Sequence, residues 1–281
     1  MNSILIGVSI FVALVILYLL AIMPRMFHRA DDKAFKGWFF AHRGLYNNKS
    51  KAPENSIQAF ENAIENYYGI ELDVQLTKDE VIVVFHDYSI LRMCGVDRNI
   101  YDMTYEELCQ YTLLKSNCKI PRFDEVLRTI NGKVPVIVEL KLEYNYKRTC
   151  ELVNAMLSTY KGVYCVQSFN PLGMLWYRIH NKAVMRGQLA TMFFKDKKEG
   201  NKFWFFLMQN LLFNWLAKPD FISYKYKYRK CMSFYLCSKV YKPYTFAWTV
   251  RSEQERSECE GYFDYIIFER FCPKSETVSE K

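Results

Sequence analysis

The sequence predicts an α/β chain: a (β/α)8 TIM barrel with an extra antiparallel hairpin strand, preceded by one N-terminal transmembrane helix. Three observations predict it. Eight short apolar segments recur along the chain, with helix-length stretches between most of them. A ninth apolar segment follows the second too closely for a parallel crossover. The first two dozen residues form an uncharged apolar run.

From Ile4 to Met23, "ILIGVSIFVALVILYLLAIM" carries no charge. As a helix it is about 30 Å long, roughly the hydrocarbon thickness of a bilayer. A cleaved signal peptide would have a basic start, a shorter apolar core and a small-x-small cleavage site, and none of these is seen. Residues 1–24 are therefore expected to be a retained anchor, 25–36 a polar connector and 37–281 the barrel. No Lys or Arg precedes the apolar run, whereas Arg25, Arg29, Lys33 and Lys36 follow it. The positive-inside tendency places the barrel in the cytoplasm.

The expected barrel strands are Trp38–Ala41, Ile70–Val74, Val134–Leu140, Val163–Ser168, Val184–Leu189, Phe221–Tyr224, Thr245–Val250 and Tyr265–Phe268. The first intervening helix begins after a cap at Asn55 or Ser56, with Ile57, Phe60 and Ile64 on one face. The ninth segment, Val81–Phe85, must fold back as a hairpin arm on the second strand. That fold carries His86 to the same end of the barrel as His42.

Composition narrows the class. Hydrophobic residues are 51% and charged ones 24% of 281 residues, which excludes a disordered chain. The net charge of +8 suits an anionic partner. No nucleic-acid motif accompanies the basic residues, so no nucleic-acid partner is expected. Nine dispersed cysteines without a C-x-x-C pair read as reduced thiols and argue against zinc.

Chemistry in such a barrel sits at the C-terminal ends of the strands. His42 and Arg43 lie just past the first strand. Glu71 and Asp73 are two apart on the second, so both point to one face. Glu139 and Lys141 repeat that spacing on the neighbouring strand. Three carboxylates can converge there, and an all-oxygen site favours one divalent cation, Mg2+ or Ca2+. Two histidines with a reference pKa of about 6.5 can move protons at neutral pH. With a cation and Arg43 to neutralise phosphoryl oxygens, they make a workable phosphodiester site.

Taken together, "AHRG", "PENS" with "AFENAI", "GIELDVQLTKDEVIVVFHD", "LR" with a glycine three residues on, "DMT", "IPRFDEVL", "VIVELK" and "QSFN" occur in order. This pattern resembles the glycerophosphodiester phosphodiesterase family. The resemblance implies His42 and His86 as the acid/base pair, Arg43 on the phosphate, and Glu71, Asp73 and Glu139 as metal ligands. It also implies Lys141 beside phosphate and metal, with Glu54 and Asn55 shaping the site. Cleavage of glycerol-phospho-alcohols to glycerol 3-phosphate and an alcohol follows, or, as in some membrane-attached relatives, of lysophospholipids. The rival of another class is a non-catalytic lipid-binding scaffold, which predicts that these residues have drifted. They have not. One departure stands out: the last strand ends in Phe268-Glu269, where the family has a small hydroxyl residue and Asp.

Three further features carry expectations. Trp248 is a candidate substrate-binding wall. "KKEGNKFWFFLMQNLLFNWLAK" is either a lipid-facing segment beside the anchor or a barrel helix packed on the sheet. "SYKYKYRK" either lines the pocket mouth or forms a solvated edge. His28 and His180 have no partner pattern and are expected to be ordinary.

Overall fold

A computed structural model describes residues 2–274. Nine strands lie among them: β1 Phe39–His42, β2 Gly69–Leu76, β3 Ile82–Val84, β4 Val136–Leu140, β5 Tyr164–Ser168, β6 Arg186–Ala190, β7 Phe221–Lys225, β8 Tyr244–Val250 and β9 Tyr265–Phe268. Their order is β1-β9-β8-β7-β6-β5-β4-β2-β3, and a β1–β2 pairing closes the ring. Eight parallel strands thus form the barrel, while β3 pairs with β2 antiparallel as the hairpin arm.

Side chains alternate across the sheet as strand geometry requires. On β2, Ile70, Leu72 and Val74 face outward into the layer shared with helices Ile57–Glu65 and Phe123–Ile130. Ser56 caps the first of these helices by accepting from the Ala59 N–H. The inward set is aromatic at the barrel floor: Phe246 lies 5.9 Å from Phe40, 4.7 Å from Phe221 and 4.5 Å from Tyr265, ring centre to ring centre.

Residues 25–36 do not hang free between helix and barrel. Phe35 is buried against Phe40, and the Tyr265 hydroxyl donates to Asp32 at 2.6 Å. Arg25 donates to the buried Asp220 at 3.2 Å. This segment plugs the end of the barrel opposite the strand C-termini. A satellite cluster that includes Phe85, Ile90, Met93, Ile100 and Leu108 anchors the long excursion after β3, and so fixes His86 at the barrel mouth.

Helix Asn2–Ile22 is long and apolar enough to cross a membrane, and most of its side chains are exposed. The aromatic run after β6 is not one barrel helix. It breaks into Lys202–Gln209 and Asn214–Ala217, and Phe203, Trp204, Phe206 and Trp215 remain exposed. Every cysteine is a free thiol.

Gly187 on β6 is required by packing. A Cβ there would meet the Phe221 ring at 2.0 Å, and that ring is held by Phe246. Gly187→Ala is expected to destabilise the barrel by about 1–3 kcal/mol, the usual range for an overpacked core. Thermal unfolding followed by circular dichroism measures it.

Candidate active site

Strand register builds the site. His42 on β1 stands beside Glu71 on β2, and Asp73 stands beside Glu139 on β4. Because Glu71 and Asp73 both point inward, three carboxylates meet at the C-terminal mouth, with ligand oxygens within 4.8 Å of one another. All three are buried. Burial and the charges of Asp73 and Glu139 push the Glu71 carboxyl well above the usual carboxylate range. Burial also raises Glu139, although Lys141 opposes the shift. Asp73 goes the other way: against its burial, Lys141, His86 and Arg43 hold it low.

These residues fit a divalent cation. The donor set is all oxygen, and one Asp73 oxygen has no hydrogen-bond partner. That oxygen, Oδ1, lies 3.1 Å from Lys141 Nζ, yet off a hydrogen-bonding direction; the ion pair is real and the lone pair is still free. Lys141 Nζ donates to Glu139 at 2.6 Å, and Asn55 donates to Asp73 Oδ2 at 2.9 Å.

The turn after β1 is left-handed at two successive residues, Arg43 (φ 57°) and Gly44 (φ 80°). Only glycine fits at Gly44, since a Cβ would meet the Ala59 backbone at 2.8 Å. The turn aims the Arg43 N–H at Glu71, 3.2 Å away, and the guanidinium at Glu54, 2.6 Å away. Despite burial of the guanidinium, the charges of Asp73 and Glu54 keep Arg43 firmly protonated.

Each candidate catalytic imidazole is held through Nδ1. His42 Nδ1 lies 2.8 Å from Glu269 Oε2, and His86 Nδ1 lies 2.5 Å from Asp87 Oδ1. With carboxylate acceptors there, the network assigns the proton of a neutral ring to Nδ1, which leaves each Nε2 as the basic atom. Burial, reinforced by Arg43, lowers the His42 pKa although Glu269 opposes the shift. Burial and Lys141 lower His86 to about 4. Both shifts favour the neutral ring.

Residues whose partners no local pattern reveals complete the site. Glu269 also accepts from Arg251 at 2.7 Å and from the Tyr46 hydroxyl at 3.0 Å. The unusual end of the last strand thus lies in the mouth, against His42. Arg92 donates to Asp87 at 2.5 Å and to both Glu54 oxygens at 2.9 and 2.7 Å. One guanidinium consequently braces the carboxylate behind His86 and the carboxylate behind Arg43. The motif "LR" contained Arg92, but nothing in it shows which carboxylates the side chain reaches.

His42, His86, Arg43, Glu71, Glu139 and Lys141 line one cleft of about 1200 Å3, with Asp73 and Asn55 buried behind its wall. Trp248 lines it, packed edge-to-face on Phe169 at 5.7 Å, with its indole N–H unpartnered. Lys225, from the aromatic-basic segment, also reaches the mouth, but its ammonium is tied to Asp196 at 2.8 Å. His180 stacks on Trp176 and His28 lies in the segment before the barrel; neither lines the cleft.

Fold and site together define a barrel hydrolase type in which an acidic trio is flanked by two carboxylate-held histidines. Residues 42–266 match the family model of the glycerophosphoryl diester phosphodiesterase family, and the chain belongs to that family. It is 36% identical over 116 residues to a glycerophosphodiester phosphodiesterase of Bacillus altitudinis, covering 39% of this chain and 46% of the relative. To a lysophospholipase D of Homo sapiens it is 31% identical over 155 residues, covering 50% of this chain and 48% of the relative. The chain thus matches just under half the length of these curated relatives. An Oleispira antarctica phosphodiesterase solved with the product sn-glycerol-3-phosphate superposes with a TM-score of 0.67 at 20% identity, covering 84% of this chain and 93% of that one. A glycerophosphodiester phosphodiesterase from Parabacteroides distasonis gives 0.64 at 24% identity, covering 82% and 92%. Both share this fold.

Arg92→Ala is expected to lower kcat/KM by about 100-fold, the usual cost of misplacing a reacting group by an ångström. Arg92→Lys should not restore it, because a lysine cannot bridge both carboxylates. Steady-state kinetics check both. Glu54 gives a second expectation. Against the upward push of burial, Arg92 and Arg43 hold its pKa at about 2, below the ordinary 4.5. A depressed carboxylate contributes stability above its unfolded pKa and loses it as pH falls through the folded one. Glu54→Gln should therefore flatten the fall in stability between pH 4.5 and about 2, measured by denaturant unfolding across that window.

Proposed function

We propose that this chain hydrolyses glycerophosphodiesters to glycerol 3-phosphate and an alcohol, with His42 and His86 as the acid/base pair. The observation that carries the reading is the pair of carboxylate-held imidazoles, each with a free Nε2, in one cleft with Arg43 and with Glu71 and Glu139 of the buried acidic trio. Membership of the family supports it.

Glu71, Asp73 and Glu139 would hold one divalent cation, Mg2+ or Ca2+ by the oxygen donor set. Once bound, such an ion supplies Lewis-acid neutralisation of the phosphoryl oxygens. Arg43 adds a fixed positive charge on the same phosphate, while Glu54 and Arg92 hold its guanidinium in place. One imidazole accepts the proton of the attacking oxygen as its bond to phosphorus forms. The other gives a proton to the departing alkoxide as the phosphorus–oxygen ester bond breaks. Both rings favour the neutral form, so the one acting as acid must first gain a proton, which the incoming anionic phosphodiester favours. Glu269 and Asp87 stabilise the imidazolium that forms on each side. The Trp248 N–H and the Lys141 ammonium stand ready for substrate oxygens.

A second reading, lysophospholipid cleavage, is favoured by the apolar N-terminal helix and by the aromatic lining of the cleft. In both readings helix Asn2–Ile22 would anchor the chain in a membrane, which its length and apolarity support, and the basic residues after it favour the cytoplasmic side for the barrel.

The purified protein is expected to release glycerol 3-phosphate from glycerophosphocholine with Mg2+ or Ca2+ and to stop in EDTA. His42→Ala should lower kcat by about 10²–10⁴-fold, the usual share of general acid–base catalysis. Glu71→Ala should weaken metal activation. Metal-independent turnover, or full activity in both variants, would sink the mechanism. Failure on every phosphodiester would restore the scaffold reading.

A further inference from the structure

The last turn of helix Asn2–Ile22 is built into the flank of the barrel. Ile22 is buried with Leu211, Ile222, Phe234 and Cys237, and Tyr18 and Leu19 pack against the same cluster. Asn214 donates to the Ile22 carbonyl at 2.9 Å, and the Tyr241 hydroxyl donates to that of Leu19 at 2.8 Å. A bilayer needs about 20 apolar residues to cross it, and this chain has that number only if the docked turn is counted. With this helix as the membrane anchor proposed above, the barrel flank around Tyr18–Ile22 lies at headgroup depth or below, with no tether to hold it away.

That flank carries the exposed aromatics. The Tyr18 hydroxyl donates to Ser233 at 2.9 Å, and Ser233 donates at 2.8 Å to Asn210, the residue that caps helix Lys202–Gln209. On this helix Phe203 is 67% and Phe206 49% exposed; Trp215, on the helix that holds Ile22, is 53% exposed. Lys195, Lys197 and Lys198 lie on the loop leading into this helix and Lys202 is its first residue; together they suit an anionic lipid surface. The other side of the same helix faces the catalytic cleft. Phe205 stacks on Phe193 at 4.7 Å, Phe193 meets Phe169 at 5.8 Å, and Phe169 meets Trp248 at 5.7 Å. All four rings line the cleft.

We infer that helix Lys202–Gln209 and Trp215 lie in the interfacial layer of the bilayer, and that the row Phe205–Phe193–Phe169–Trp248 guides the acyl chain of a single-chain lipid phosphodiester from that layer to the site. The guidance of substrate rests on the phosphodiesterase reading above, and the contact with lipid rests on the membrane anchor proposed with it. Apolar rings at this depth gain burial without a folded partner, and the row of rings offers the chain a continuous aromatic wall beside the acidic trio and the histidines.

The test uses the full chain in phosphatidylcholine–phosphatidylglycerol vesicles. Phe203→Ser combined with Phe206→Ser changes two residues outside the cleft. Turnover of vesicle-borne lysophosphatidylcholine is expected to fall by about tenfold or more, the loss of part of one aromatic anchor. Turnover of water-soluble glycerophosphocholine should stay within about twofold, which also certifies the fold. Contact is read without catalysis: chains brominated near the headgroup should quench tryptophan fluorescence in the wild type, and quenching should drop in Trp215→Phe, which lies outside the cleft. Equal effects on the two substrates, or quenching unchanged by Trp215→Phe, overturn the inference. Quenching with no turnover of either substrate leaves the lipid contact standing and removes the enzymatic reading instead.

Discussion

The three-residue ladder between β1 and β2 is the constraint on which the rest of the molecule depends. It closes the barrel, and its register sets His42 level with Glu71. A slip of one residue would turn every inward side chain of β1 outward. His42 would then leave the mouth and Phe40 would leave the aromatic floor. The β2–β4 ladder does the same for Asp73 and Glu139. Fold and site are thus specified by the same hydrogen bonds.

Placing that much charge at one end of a core demands compensation. The acidic trio is answered from within by Lys141 and Arg43, and from outside by a chain of guanidinium–carboxylate pairs through Glu54, Arg92 and Asp87. Isolated surface pairs contribute little to stability, but these are buried or share partners, so each charge is fixed by two or more neighbours. The result is a rigid rim in which the two imidazoles keep a defined tautomer. Preorganisation of this kind is what electrostatic catalysis requires.

Much of this was legible in the sequence because it follows short-range periodicity. The i, i+2 spacing of Glu71 with Asp73 and of Glu139 with Lys141 announces a shared face. The six-residue link before Val81 excludes a crossover, and so announces the hairpin that delivers His86. The polar stretch 25–36 read as a connector because its few apolar residues are scattered; only the closed barrel offers Phe35 and Asp32 the floor they pack against. Glu269 escaped for a similar reason. Its partner His42 is 227 residues away, and no local pattern encodes a pairing across the seam between the first strand and the last.

By itself, then, the sequence determined the strands, their inward faces, the apolar helix and the inventory of carboxylates, imidazoles and cations, since these depend on residue type and on periods of two or a few residues. Only the tertiary structure decided which charges meet, because the partners come from strands and loops far apart in the chain. Chain closure also made one surface of the aromatic helix Lys202–Gln209 a wall of the cleft and left Phe203 and Phe206 on the outside. A helix has no inner and outer side until a barrel and a docked neighbour supply them.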